Sequence, residues 1–323
     1  MTGSFGNPNQ EQKDLLASKS FVYLDKKVLV VSGDERLTWL NDILSQKLDD
    51  LAVGVSVEAL WLDAQGRIIR DIHIIDDGEK TYLITFSKDF EDFANQFKRM
   101  VFRARVTLET SEELKVIATF GIEKLTSLTW QDPWPDTAIG GHRYGQTILT
   151  NWDYLEQLVT NFELEKLRSS LTEAGTLALE ALRIAAFRPS GPDEIDERSL
   201  PHEYDWLATA VHLSKGCYRG QETVAKVHNL GAPPRRMVFL HLDGSAHLLP
   251  RVGDEIRNGE DVIGKVTSVG QHYEMGPIAL GIIKRNTKVE TVLVGTIPAT
   301  LEQIVPSDAG GVIDLGNFRG KKT

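Results

Sequence analysis

Hydrophobic and polar residues alternate through much of the stretch from Ser56 to Thr119, and this two-residue period most constrains the fold. A period of two is typical of strands, whereas helices repeat every 3.6 residues. Turn signals at Ala64-Gln65-Gly66 and Asp76-Asp77-Gly78 separate the first runs. The stretch predicts, in order, strands at 55–62, 67–75 and 80–86, a helix at 88–100, and strands at 101–108 and 114–120.

This order of elements predicts an α+β fold, without the regular strand–helix–strand alternation of a dinucleotide-binding fold. Strands are predicted at 21–24 and 28–31, and Ser32-Gly33-Asp34 supplies cap residues for a helix. That helix has one apolar face, which we assign to the core: Leu37, Leu40, Ile43, Leu44 and Leu48. Further helices are predicted at 153–171 and 177–186, and irregular connections at 121–150 and 187–203.

Short strands at nearly regular spacing follow Gly231-Ala-Pro-Pro234 and predict a small antiparallel barrel or sandwich. They lie at 237–242, 255–257, 262–269, 278–283 and 292–297. The first residues are polar and rich in Gly, Asn and Gln, which favours a disordered tail. The predicted organisation is a tail at 1–18, a region of two subdomains at 19–230 (the second at about 55–125) and a β-barrel domain at 232–323.

Charge and cysteine content narrow the classes of function. A formal charge of −10 argues against general binding to DNA or RNA, which relies on cationic surface. A single cysteine excludes an intramolecular disulfide and any metal or iron–sulfur site built wholly from this chain's thiolates. No secretory signal peptide and no membrane span are expected, because no apolar run has the required pattern or length. We therefore expect a cytoplasmic protein with no membrane partner.

The cysteine itself lies in Lys215-Gly-Cys-Tyr-Arg-Gly-Gln-Glu222. If this segment is extended, Lys215, Cys217 and Arg219 share one face, and both cations would favour the thiolate. A short helix at 221–227, starting at Gly220, would act in the same direction through its dipole. Against this, a lone cysteine is commonly a small buried hydrophobe. On local grounds the two interpretations stay open.

Two other places could bind a ligand. The carboxylate of Glu203 follows a proline in a long loop, and a carboxylate there could accept two parallel hydrogen bonds from the 2-amino-4-oxo edge of a pterin. The alternative is a surface glutamate. Arg235 and Arg236 precede a strand and could meet an anionic ligand tail, or merely offset local acids. The eight histidines are scattered without zinc spacing, and neither a phosphate loop nor a nucleophile elbow is present.

The octapeptide at 215–222 resembles the K-G-C-[FY]-x-G-Q-E signature of YgfZ-type folate-binding proteins, which are relatives of the glycine-cleavage T protein, an aminomethyltransferase. The signature is specific because its eight contiguous positions include an uncommon residue and two glycines. Weaker blocks agree in the same order over about residues 20–300. These blocks are 31–35, 62–68, 182–184, 201–203, 253–256, 263–268, 279–283 and the stretch beginning at Arg236.

The resemblance implies three subdomains around a central channel that holds tetrahydrofolate or a one-carbon derivative. It implies that Glu203 is the pterin-binding glutamate and that Arg236 is associated with the folate. Arg183 and Tyr218 are further candidates for cofactor binding. Within the octapeptide, Cys217 would be the reactive thiol. Its neighbours divide into charged residues that would assist it and residues that shape the motif: Lys215 and Arg219 in the first group, and Gly216, Gly220, Gln221 and Glu222 in the second.

The sequence also departs from the aminomethyltransferases. Their G-G-x-x-D-D segment, whose acid is important for transfer, reads Gly66-Arg67-Ile68-Ile69-Arg70-Asp71 here. Asp71 remains a catalytic candidate, but the acidic pair is lost. Their R-I-E-A-G segment reads Arg183-Ile-Ala-Ala-Phe187. No metal site is expected.

The leading hypothesis is a tetrahydrofolate-binding accessory protein that supports assembly or repair of iron–sulfur enzymes, including tRNA-modifying enzymes of methylthiolation. Its partners would be a folate and iron–sulfur client proteins. Whether it is itself an enzyme stays open: it is transferase-like but lacks the full acidic motif, which favours a binding protein. One alternative is a folate-dependent aminomethyltransferase of the glycine-cleavage type, which the missing acidic pair disfavours. Another is a folate-binding module without thiol chemistry.

Overall fold

The computed structural model describes residues 2–121, 124–146, 152–191, 194–245 and 247–311. The helices in these residues are α1 (Pro8–Leu16), α2 (Arg36–Ile43), α3 (Phe90–Met100), α4 (Asn161–Arg168), α5 (Thr176–Ala185) and α6 (Gln221–Leu230), with a 3₁₀ turn at Pro201–Tyr204. The strands of the first half are β1 (Ser20–Tyr23), β2 (Lys26–Ser32), β3 (Ser56–Leu62), β4 (Ile68–Asp76), β5 (Lys80–Phe86), β6 (Thr107–Ser111), β7 (Lys115–Phe120), β8 (Thr129–Gln131), β9 (Tyr154–Val159) and β10 (Thr172–Glu173). Those that follow are β11 (Arg235–Leu242), β12 (Glu255–Asn258), β13 (Asp261–His272), β14 (Gly276–Lys284), β15 (Thr291–Val294) and β16 (Ile297–Gln303).

Three sheets organise the described residues. One five-stranded sheet has the order β10-β1-β7-β9-β8, and a second has the order β3-β4-β5-β2-β6. The third is a closed barrel with the order β11-β14-β13-β12-β15-β16, in which antiparallel pairing of β16 with β11 completes the ring. The predicted α+β class and the C-terminal antiparallel barrel are confirmed.

Separate apolar cores pack against these sheets. Helix α3 packs Phe93 and Phe97 against the β3 residue Trp61, with a ring-centroid distance of 5.2 Å between Trp61 and Phe97. A larger core joins the first sheet, α5 and the face of β11 and β14 that is turned away from the barrel interior. Because this core touches both the sheet and the barrel, α5 is held between them and can present side chains to a shared cavity.

The prediction of one helix at 153–171 is wrong. Residues 154–159 form β9, with all six residues buried, and β9 lies between β7 and β8. Central sheet pairing overrides local helical preference here. The helix α4 begins only after Thr160, whose hydroxyl accepts a hydrogen bond from the Glu163 backbone N–H while the Glu163 carboxylate accepts from Thr160 N–H.

The prediction of a disordered tail at 1–18 is wrong for residues 8–16, which form α1. The Asn7 side chain caps this helix by accepting from Asn9 N–H. Glu11 accepts hydrogen bonds from the backbone of Phe5, Gly6 and Gly175, each at 2.8 Å. Polar composition suggested disorder, but these polar side chains satisfy buried backbone groups and thereby order the segment.

Smaller differences concern where elements end. Helix α2 stops at Ile43, so Leu48 of the predicted apolar face is buried from the following loop. The predicted strand 292–297 divides at Gly295, whose φ of 58° forms the turn between β15 and β16. Within the described ranges, no helix has the length and apolar character needed to cross a bilayer.

Candidate functional site

A cavity of about 310 Å³ lies where the two five-stranded sheets meet α5. This volume lies in the range of small-molecule sites. Its wall is formed by β2, β4 and β5 of one sheet, by β9 of the other, by α5 and by residues 188–190. The charged side chains with buried heads in this wall are Lys26, Asp71, Asp132, Glu156, Arg183 and Arg188. We call this the central cavity.

One carboxylate in the central cavity gathers three donors. Glu156 Oε1 accepts from Lys26 Nζ at 2.5 Å and from the Tyr154 hydroxyl at 2.9 Å, and Glu156 Oε2 lies 2.9 Å from His73 Nδ1. Burial alone would raise the pKa of Glu156, but the charges and hydrogen bonds of His73 and Lys26 outweigh it and hold that pKa well below its usual range. Glu156 is therefore an ionised anchor that fixes Lys26 from one sheet against β9 of the other.

The two arginines of the central cavity are also held by carboxylates. Arg188 donates to Asp132 at 2.9 Å and to the fully buried Glu58 at 2.7 Å. Arg183 donates to both oxygens of Glu180, and one of its nitrogens is also 3.1 Å from Glu194. Burial disfavours the charge of each guanidinium, but these carboxylates raise the pKa of both arginines. Their positive charges are thus neutralised within the protein.

Asp71 differs from the other buried carboxylates of the central cavity. It lies on β4, its side chain lines the cavity and only 5% of the residue is exposed. Among the described residues, no side chain or backbone N–H donates a hydrogen bond to its carboxylate, and no cation pairs with it. Arg70 gives it no hydrogen bond and instead donates to the carbonyl oxygens of Phe86 and Lys88. A buried carboxylate without a donor among the described residues is available to accept hydrogen bonds from a ligand.

The octapeptide is folded as a turn, so the expected shared face of Lys215, Cys217 and Arg219 is wrong. Lys215 and Tyr218 are buried, whereas Cys217 and Arg219 are exposed. The Lys215 ammonium donates to the carbonyl oxygens of Asn41, Leu44 and Gln46 at 2.5, 2.6 and 2.9 Å, at the end of α2. Burial lowers the pKa of Lys215 to about 8. Lys215 therefore anchors the motif and does not face the thiol from a common side.

The remaining motif residues shape this turn. The predicted start of a helix at Gly220 is confirmed, since Gly220 caps α6 with a φ of 84°. A Cβ at Gly220 would lie 2.6 Å from the Asp63 carbonyl oxygen, which shows how closely the motif approaches the turn before β4. Gln221 donates to the Lys215 carbonyl at 3.2 Å and closes the loop that carries Cys217. Gly216 and Glu222 are exposed.

Glu203 and Arg236 do not line the central cavity. The Glu203 carboxylate, fully buried, accepts two hydrogen bonds from Arg235 and one from Leu200 N–H. Arg236 donates to three backbone carbonyls, those of Arg285, Thr287 and Val305. Both side chains are thus held by contacts within the protein, and their roles as folate ligands stay predictions. Of the other candidates, Arg183 and Asp71 line the central cavity, whereas Tyr218 packs in the core beneath Lys215.

Sequence reasoning missed the remaining cavity residues; those with the most buried charged or polar groups are Lys26, His73, Asp132, Glu156 and Arg188. One signal was available: Asp71 and His73 stand two apart in a predicted strand and so share a face. No local pattern marks Lys26 or Glu156, whose contact spans 130 residues of sequence. Within the described residues, no group of three or more His, Cys, Asp or Glu side chains could hold a metal ion.

Comparisons with known proteins identify relatives in sequence and a solved structure with a similar fold. No protein-family model matches the chain. It is 24% identical over 253 residues to the tRNA-modifying protein YgfZ of Photorhabdus laumondii, covering 72% of this chain and 73% of that protein. It is 25% identical over 281 residues to an aminomethyltransferase of Streptomyces avermitilis, covering 79% and 75%. The crystal structure of glycine cleavage system aminomethyltransferase T from Bartonella henselae matches with a TM-score of 0.72 at 17% identity, over 93% of this chain and 89% of that one.

The fold is therefore that of the glycine-cleavage aminomethyltransferases. Within that fold class, the sequence of the chain is similar to those of YgfZ proteins.

Proposed function

We propose that the chain is a YgfZ-type protein and that it binds tetrahydrofolate, or a one-carbon derivative, in the central cavity. The observation that carries the proposal is Asp71, a buried carboxylate of the central cavity without a donor among the described residues. The ring edge of a pterin offers adjacent N–H donors that such a carboxylate accepts. The family resemblance suggested Glu203 for this role, but Glu203 is paired with Arg235. We therefore assign pterin binding to Asp71 and the other residues of the central cavity.

The residues present fit such a ligand. Phe86, Trp152, Tyr154 and Leu179 give the central cavity apolar and aromatic surface for a flat ring. Among the described residues, the buried charged groups of the cavity have partners except at Asp71 and at Nη1 of Arg188. Lys88 is exposed and also lines the central cavity, so it can pair with a carboxylate of the ligand tail. When bound, the folate would supply a one-carbon carrier, and the protein would hold and orient it.

Calorimetric titration with tetrahydrofolate tests the proposal. We expect Asp71→Asn to weaken binding about tenfold or more, because the amide presents a donor in place of one carboxylate oxygen. Asp92→Asn, on the exposed surface of α3, is the matched control and should bind as the wild type does. Absence of binding by the wild-type protein would refute the proposal that tetrahydrofolate is the ligand. Equal binding by Asp71→Asn would refute the role of Asp71.

The cellular role that we propose is support of iron–sulfur enzymes, including those that modify tRNA. One thiolate cannot hold a cluster alone, and Cys217 is exposed, so its chemistry requires a second molecule. Complementation of a strain lacking this factor under oxidative stress tests this step. Cys217→Ala should fail to restore growth and the activity of iron–sulfur enzymes, whereas Ser214→Ala, a nearby exposed control, should restore both. Full rescue by Cys217→Ala would exclude a thiol role.

An aminomethyltransferase is the second candidate, favoured by Asp71 in the cavity of the same fold and by the match to the Streptomyces enzyme. Arg70 in place of the second acid disfavours it. Formation of methylenetetrahydrofolate from an aminomethylated lipoyl carrier by the purified protein would establish this activity.

A further inference from the structure

The segment at 98–105 concentrates positive charge in an acidic chain. Its eight residues include no acid and four exposed cations: Lys98, Arg99, Arg103 and Arg105. Lys98 and Arg99 lie in the last turn of α3, where cations complement the helix dipole. The dipole does not account for Arg103 and Arg105, which follow the end of the helix. We call residues 98–105 the basic turn.

Contacts on its inner side hold the basic turn in place. Its residues that pack against the core of the second sheet are Met100, Val101 and Ala104. The Trp39 indole N–H donates to the Met100 carbonyl oxygen at 3.4 Å, and Arg105 N–H donates to the Glu35 carboxylate at 2.7 Å. The exposed side chains are therefore presented from an ordered backbone, which lowers the entropy lost when a partner binds.

Phe102 is the exception among the apolar residues of the basic turn, because 85% of it is exposed. The Arg103 guanidinium carbon lies 5.3 Å from the centroid of its ring, within the range of a cation–π contact. Most of the ring surface faces solvent. An exposed aromatic ring among cations combines a surface on which a base can stack with groups that pair with phosphates.

Most of the positive charge of the basic turn is not neutralised by the protein. Arg105 lies 3.1 Å from Glu35, but Lys98, Arg99 and Arg103 have no ion pair within the described residues. These three side chains are available to an anionic partner. Because the formal charge of the chain is −10, the rest of the surface disfavours a polyanion, and binding would be confined to this turn and sensitive to salt.

We propose that the basic turn is a docking surface for a single-stranded nucleic acid, in which Phe102 stacks on an unpaired base while Lys98, Arg99 and Arg103 pair with phosphates. A duplex fits less well, because its bases already stack on one another. A bilayer also fits less well, since one phenylalanine inserts little apolar surface. An acidic peptide would pair with the cations but would leave Phe102 without a role. No residue of the basic turn lines the central cavity.

Fluorescence anisotropy with labelled oligo(U) and oligo(dT), measured over a series of salt concentrations, tests the proposal. For wild type we expect the logarithm of the binding constant to fall with the logarithm of salt concentration with a slope of about −2, from roughly 0.7 for each of three phosphates. Arg103→Gln should weaken binding and reduce the size of this slope by about 0.7. Phe102→Ala should weaken binding about fivefold or more and leave the slope unchanged, because stacking releases no counterions.

Two substitutions elsewhere are matched controls. Phe162, at the start of α4, is 81% exposed but is followed by Glu163, so Phe162→Ala removes an equally exposed ring without neighbouring cations. Arg251→Gln removes an exposed charge from the barrel domain. Both variants should bind the oligonucleotides as wild type does. Losses equal to those of Phe102→Ala and Arg103→Gln would place binding elsewhere and overturn the proposal.

Absence of binding by wild type to both oligonucleotides at low salt would also overturn it. Oligoglutamate and phosphatidylserine vesicles are titrated in parallel. If either binds with a dependence on Phe102 while the oligonucleotides do not, the basic turn serves an acidic peptide or a membrane, and the proposal is wrong. The inference does not rest on folate binding, so each of these outcomes leaves the proposed function as it stands.

Discussion

Arg235 donates two hydrogen bonds to the buried carboxylate of Glu203, from Nε at 3.0 Å and from Nη2 at 2.8 Å. Glu203 lies in the 3₁₀ turn before α6, and Arg235 is the first residue of the barrel strand β11. The same guanidinium donates to both oxygens of Asp196. Arg235 therefore joins the barrel to the long loop, and the Glu203 carboxylate stabilises this contact.

Removing Glu203 should destabilise the protein without changing folate affinity directly. Glu203→Ala leaves the half-buried Arg235 without one of its two carboxylates, and we expect a loss of about 3 kcal/mol in the free energy of unfolding. Glu197→Ala, on an exposed position of the same loop, should change it by less than about 0.5 kcal/mol. Denaturant unfolding measures both. A normally stable Glu203→Ala that has lost tetrahydrofolate binding would restore the ligand role of Glu203.

Asp196 should make part of this contact dependent on pH. Hydrogen bonds from Arg235 hold the pKa of Asp196 in the folded protein below its ordinary value, which outweighs the effect of its partial burial. Its stabilising contribution is therefore complete above the unfolded pKa, near 4, and is lost as the pH falls through the lower folded pKa.

The free energy of unfolding of wild type minus that of Asp196→Asn isolates this contribution. We expect the difference to be constant between about pH 7 and pH 5 and to shrink below about pH 4. Urea unfolding at a series of pH values measures it. A difference that grows on acidification would contradict the pairing with Arg235.

Lys215 should matter for stability and Arg219 should not, although the octapeptide contains both. Lys215 gives hydrogen bonds from its ammonium to three carbonyl oxygens near the end of α2, and removing a buried charged donor from such acceptors costs about 1.5–3 kcal/mol. Arg219 is exposed and has no ion pair within the described residues. We expect Lys215→Met to lower the midpoint of thermal unfolding by several degrees and Arg219→Met to leave it nearly unchanged. Equal effects would show that Lys215 is not the anchor.

The sequence predicted best those helices and strands whose hydrophobic pattern is local. The strands around the turns at 64–66 and 76–78 and the helix α3 follow from short-range alternation and an aromatic face. Strand β9 was missed because its burial comes from pairing with β7, nearly 40 residues earlier along the chain. The residues of the site differ in the same way, between those marked by a local pattern and those that depend on long-range contacts. Asp71 was found by its segment, whereas Lys26 and Glu156 meet only after two sheets are assembled.

The octapeptide shows how much of a motif's structure its sequence predicts when the residues that contact it are unknown. Its spacing identified an unusual segment and the start of α6, but the direction of each side chain depends on α2, which supplies the carbonyls for Lys215. Glu203 is the converse case. Its proline-bounded loop was visible, but its partner Arg235 lies 32 residues further along the chain, and no local pattern joins them.

The two glycines of the octapeptide should respond differently to substitution. Gly220 has a φ of 84°, and a Cβ there would lie 2.6 Å from the Asp63 carbonyl oxygen and 2.8 Å from Gly66 Cα, both of which are backbone atoms. Gly216 has ordinary φ, is exposed, and a Cβ there would meet nothing within 4 Å. Gly220→Ala should therefore cost about 1–3 kcal/mol in the free energy of unfolding, because αL strain and a backbone clash add together. Gly216→Ala should be neutral or slightly stabilising, since it reduces the entropy of the unfolded chain.

Equilibrium unfolding measures the difference in stability between the two variants, and alkylation of Cys217 in the folded proteins reports whether the turn is displaced. A Gly220→Ala protein as stable as Gly216→Ala would show that the motif does not depend on its close packing against the turn before β4.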